Sequence, residues 1–98
     1  MPTVISIRKI NQANTKHVYE VTAEQVKPFY ITIDPEPRHI SYYTDKKLNK
    51  LVTIIDLNEE NKLLFKSIHK HTALLTLCCA RKAIKNNLFP EVLDYCSG

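Results

Sequence analysis

The sequence predicts an α+β fold: an antiparallel meander of four to five strands, followed by one long helix packed on the sheet. Three observations predict it. Residues 3–56 are rich in Ile, Val, Thr and Tyr and are punctuated by Asn, Asp and Pro, which is a strand-and-turn composition. From Asn58 onward the apolar residues recur at helical spacing instead. The connections between successive strands are short, and a parallel pair would need a longer crossover. The chain reads as one domain over 1–98, strand-rich over 3–56 and helical over 58–95.

In the first strand, residues 3–10, Ile5 and Ile7 share a face. A polar turn is expected over 11–16 (NQANTK). In the second, 17–24, Tyr19, Val21 and Ala23 oppose Val18, Glu20 and Thr22. Pro28 marks the approach to the third, 29–34, where Phe29, Ile31 and Ile33 point one way. Pro35 and Pro37 lack the donors that a ladder needs, so 35–38 turns the chain. The fourth strand, 39–44, sends Ile40 and Tyr42 inward. Residues 51–56 (LVTIID) read as a fifth, whose near-continuous apolar character suits burial on both faces, with a helical lead-in as the alternative.

The helix opens where Asp56 or Asn58 accepts from first-turn amides and where Glu59 and Glu60 suit the positive end of the dipole. Arg81, Lys82 and Lys85 suit its other end, and Asn86–Asn87 followed by Pro90 stops it. It is expected to reach about Leu88, with a break near 69–72 as the alternative. On its first half, Leu64, Ile68 and Leu75 form one stripe with Cys79 at the edge, opposite Lys62, Lys66 and Lys70. Residues 91–96 are expected to add a short helical turn carrying Val92, Leu93 and Tyr95.

Composition excludes several functions. The 98 residues suffice for one domain, and the 44% hydrophobic and 24% charged content is that of a globular protein. The single glycine is the last residue, so no phosphate-cradling loop can form. A net charge of +4 is mildly basic and falls short of a polybasic arm. Adjacent basic pairs occur at Arg8–Lys9, Lys46–Lys47 and Arg81–Lys82, which a solvated surface explains. Residues 1–10 lack a secretory apolar stretch. The longest nearly apolar run, 73–80, would span about 12 Å as a helix against a bilayer core of roughly 30 Å, so no membrane span is expected. The three cysteines, Cys78, Cys79 and Cys96, form no closed disulfide set and point to a reducing, cytoplasmic setting.

The middle of the helix carries the main functional signal. Ala73, Leu74, Leu75, Leu77, Cys78, Cys79 and Ala80 face nearly every direction at about 100° per residue. A helix that is apolar all round is covered all round, and one sheet covers one side. The rest must lie under the C-terminal tail (Leu88, Phe89, Val92, Leu93, Tyr95) or under another chain. The expected interface is Leu74, Leu77, Cys78, Ala80 and Ile84, with a two-fold homodimer or another protein as partner.

Site chemistry is thin. His69, His71, Cys78 and Cys79 crowd one region, but His69 and His71 sit two apart and His71 and Cys78 seven apart, spacings that do not chelate on a helix. Cys78 lies three and four residues before Arg81 and Lys82, yet its apolar surroundings raise a thiol pKa. Asp34, Glu36, Arg38 and His39 gather acid and base groups, read here as a charged hairpin loop. No metal, cofactor or catalytic residue is expected. Arg8, Tyr30 and Tyr43 on the outer strand face, with Arg81, Lys82 and Lys85 at the helix end, offer aromatics and cations to nucleic acid. The expected function is therefore a non-catalytic interaction or assembly module that self-associates, with small nucleic-acid-binding protein as the alternative.

Overall fold

Alternating apolar side chains draw the first half of the chain into an antiparallel sheet. The computed structural model describes residues 5–13, 15–36, 38–58 and 68–93. The elements are β1 (Ile5–Ala13), β2 (Lys16–Ala23), β3 (Val26–Asp34), β4 (His39–Tyr43), β5 (Leu51–Asp56), α1 (Lys70–Asn86) and β6 (Val92–Leu93). The sheet order is β5-β4-β3-β2-β1-β6, and every neighbouring pair is antiparallel. The fold is thus the expected meander plus helix.

Three cross-strand rows build the core. Ile7, Val21 and Phe29 lie side by side, as do Tyr19, Ile31 and Tyr42, and then Ile33, Ile40 and Ile55. All are buried, and α1 covers them with Ala73, Leu77, Ala80 and Ala83, joined by Ile68 and Leu93. Each large aliphatic side chain withdrawn from water contributes about 1.5–3 kcal/mol, which drives the helix onto this face. Tyr42 carries its hydroxyl inward and donates to the Ala73 carbonyl at 2.9 Å. That bond lets a phenol sit in an apolar layer.

Three features differ from expectation, and the described helix follows the alternative of a break near 69–72. Residues 11–13 were expected in the turn, but they extend β1 past an irregularity between Lys9 and Asn11, so the hairpin is tighter. Pro28 lies inside β3 instead of before it. It is tolerated because β4 pairs only as far as Tyr30–Tyr43 and the β2 register shifts between Val21 and Ala23, so the missing donor interrupts no regular ladder. The helix begins at Lys70, where the His69 ring accepts from the Thr72 amide at 3.3 Å. The expected helical residues 59–67, including Lys62, Leu64 and Lys66, lie outside the described residues. Val92 and Leu93 form a strand on β1 in place of a helical turn, and Tyr95 and Cys96 lie outside the described residues.

The helix stop is where the asparagines place it. Asn87 takes the left-handed conformation (φ 50°, ψ 44°). Its N–H reaches the Ile84 carbonyl, and the Leu88 N–H reaches that of Ala83, at 3.1 and 3.0 Å. This satisfies the last carbonyls and turns the chain back toward the sheet. No described helix is long and apolar enough to cross a membrane.

Candidate interaction surfaces

The helix sorts its side chains by direction. Thr72, Ala73, Thr76, Leu77, Cys79, Ala80 and Ala83 are buried. Both threonines can face the core because their hydroxyls stay local: Thr76 donates to the Thr72 carbonyl at 2.8 Å, and Thr72 meets the His69 ring at 3.1 Å. Lys70, His71, Arg81, Lys82, Lys85 and Asn86 are exposed, and Leu74, Leu75, Cys78 and Ile84 are half-buried. Among the five expected interface residues, Leu77 (4% exposed) and Ala80 (0%) therefore pack into this chain's own core. Ile84 leans on that core from its edge. Leu74 and Cys78, with Leu75, are left as an apolar strip on the far side.

The tail takes one flank of the helix. A small cavity of about 80 Å³ separates Cys79, Lys82, Ala83 and Asn86 from Leu88, Pro90 and Leu93. The segment is fastened to β1 and β2. Lys9 donates from Nζ to the Phe89 carbonyl at 2.7 Å and from its backbone N–H to the Glu91 carbonyl at 2.6 Å, while the Tyr19 hydroxyl donates to the Pro90 carbonyl at 2.7 Å. The Phe89 ring stacks on His17 at 4.1 Å. Burial, and then the Lys9 charge, hold the His17 imidazole below its ordinary pKa, and burial pushes Tyr19 up to about 12.

The groups considered for chemistry fall into structural roles. The His69 ring caps α1, and His71, two residues on, is exposed. Cys79 is buried and Cys78 half-buried. Among the described residues no three metal-ligating groups converge. In the β3–β4 hairpin, Asp34, His39 and Asp56 form one row across three strands, with His39 Nε2 at 3.4 Å from Asp56. The Asn58 N–H, and with it His39, holds the Asp56 carboxyl below its usual value. Asp34 keeps one buried carboxylate oxygen without a hydrogen bond.

The sheet face opposite α1 carries Arg8, Glu20, Tyr30 and Tyr43 in one cross-strand row. Arg8 thus faces a carboxylate. Burial, and then Glu20 with its hydrogen bond, raise the Tyr30 phenol, with Asp45 adding to the shift. Arg81, Lys82 and Lys85 lie across the sheet on the helix side, so the six residues proposed for nucleic acid do not form one surface. A different basic group adjoins the tyrosines. In the loop 44–50, the Asp45 carboxylate accepts from the Asn49 and Lys50 amides at 2.8–3.1 Å, and Leu48 adopts φ 61°. This fixes the loop that carries Lys46, Lys47 and Lys50. A depression of about 270 Å³ lies between Lys27, Pro28, Phe29, Thr44, Asp45 and Lys50. Lys46–Lys47 was visible in the sequence, but nothing there placed Lys27 beside Lys50.

The two sheet edges are unequal. At one, β6 pairs with Ile7 and Arg8. At the other, no described strand pairs with the outer side of β5, whose Leu51 and Ile54 are 50% and 52% exposed. Sequence reading found β5 but not its edge position, because strand order is a property of the whole sheet. The chain matches no known family model, no curated protein and no solved structure.

Proposed function

We propose that this chain is a non-catalytic protein-interaction module that self-associates, acting in a reducing, cytoplasmic setting where its thiols stay reduced. The observation that carries the reading is the β5 edge, which no described strand pairs. A strand edge with half-exposed aliphatic side chains and no charge between Leu51 and Ile55 is a template for another chain. The far-side helix strip of Leu74, Leu75 and Cys78 is a second apolar surface, already half covered. Sedimentation of the full chain at micromolar concentration tests the reading: a mass above the monomer is expected, and a monomer at every concentration counts against it.

A second reading has its own support. Tyr30 and Tyr43 stand directly opposite one another next to the lysine-bearing loop, an arrangement suited to stacking bases while cations meet phosphates. On this reading affinity for a mixed single-stranded oligonucleotide falls steeply with added salt, and the Lys46→Glu/Lys47→Glu double variant weakens it further. Absence of binding at low salt removes the reading.

A further inference from the structure

The chain after α1 returns to the sheet through one cluster on β1 and β2. Lys9, His17 and Tyr19 share the sheet face that carries Ile7, Val21 and Ile33. Lys9 Nζ donates to the Phe89 carbonyl, and the Phe89 ring lies flat on the His17 imidazole, with centroids 4.1 Å apart and planes 7° from parallel. His17 Nδ1 is buried there, and no hydrogen bond reaches it. A neutral imidazole tolerates that position, because an unprotonated Nδ1 has no donor to satisfy. An imidazolium would place a charged N–H at the same point with nothing to receive it.

The groups around the ring add to this cost. From β1, Lys9 acts on it as a like charge. From β3 the facing residue is Ile33, and on its own strand Tyr19 stays a neutral donor to the Pro90 carbonyl. Glu91, on the returning segment, is exposed and joins through its carbonyl, which accepts from the Lys9 amide. Among the described residues no carboxylate pairs with His17. The attraction of a cation for the Phe89 face is smaller than the cost of a buried charged donor beside a second cation.

We propose that His17 is an acid-sensitive latch: as neutral imidazole it holds segment 88–93 on β1 and β2, and on protonation it lets that segment go. Release bares the side of β1 that Val92, Leu93 and the Glu91 carbonyl now occupy. The folded ring takes up a proton less readily than the free side chain, whose ordinary pKa is 6.5. The hold is therefore complete above that value and is lost as the pH falls through the lowered one. The latch acts on one border of the sheet and stands apart from the self-association reading.

Amide hydrogen exchange on the full chain tests it, expressed as protection relative to the unfolded chain at each pH. From about pH 8 to about pH 5, protection of the Lys9 amide should fall several-fold while that of Ile31 in β3 holds. His17→Phe keeps a flat ring against Phe89 without the proton, and it should make Lys9 protection independent of pH. His17→Gln, uncharged and unable to stack, should do the same from a lower starting level, and it serves if the phenylalanine variant fails to fold. Linkage adds a second readout: Phe89→Ala should move the NMR titration midpoint of the His17 ring up toward 6.5. The latch is overturned by Lys9 protection that does not change with pH, by a fall that Ile31 shares equally, by a pH response that survives both His17 variants, or by a ring midpoint that Phe89→Ala leaves in place.

Discussion

Tyr42 shows how much a single residue's environment can be read in advance. Alternation alone placed it and Ile40 inward, and both are fully buried. Its hydroxyl partner was unreadable, because the Ala73 carbonyl lies 31 residues away on another element. The same holds for Tyr19, which finds Pro90 71 residues on. Burial raises the Tyr42 phenol far above its ordinary pKa, so it stays a neutral donor throughout the pH range of a folded protein. Removing the hydroxyl and removing the ring should therefore separate. Tyr42→Phe is expected to cost about 1 kcal/mol of stability, the net worth of one hydrogen bond. Tyr42→Ala is expected to cost about 3–5 kcal/mol, because it also opens a cavity beneath α1. Urea unfolding of the two variants checks both figures.

Among the elements, the strands were readable and the helix face was not. Period-two alternation in β3 and β4 survives any detail of tertiary packing, and their inward sets appear as expected, while in β2 Tyr19 and Val21 are buried but Ala23 is half-buried and Val18, from the opposing set, is buried as well. On α1, counting aliphatic residues favoured a stripe through Leu75, whereas the buried face runs through Thr72, Ala73, Thr76, Leu77, Ala80 and Ala83. Small residues let the helix axis approach the sheet, and the two threonines bond within their own helix, so the polar label misleads. The strand β6 was unreadable for another reason. Two residues carry no period, and their partners Ile7 and Arg8 stand at the opposite end of the sequence. Its hold on the sheet rests on Leu93, 7% exposed, together with the bonds that the Lys9 N–H and the Tyr19 hydroxyl donate to the Glu91 and Pro90 carbonyls. Leu93→Glu puts a carboxylate in place of a buried side chain of the core cluster, and it should release the segment. Hydrogen exchange at Ile7 and Lys9 should then accelerate while exchange in β3 changes little.

At the scale of the whole molecule, the meander places chain neighbours beside each other, with one exception, the return of β6 to β1. That return separates what the sequence could and could not say about the candidate surfaces. Leu74 and Cys78 lie on the outer side of α1, while Leu77 and Ala80 are consumed by the core, a division set by how the helix is rolled on the sheet and not by its composition. The inequality of the two margins has one further effect. A sheet with one border free among the described strands has a valence of one through its strands, so on the self-association reading two copies joined along β5 would have no second strand border for a third. On that reading the short strip of chain along the opposite border would keep the sheet from propagating into a fibre.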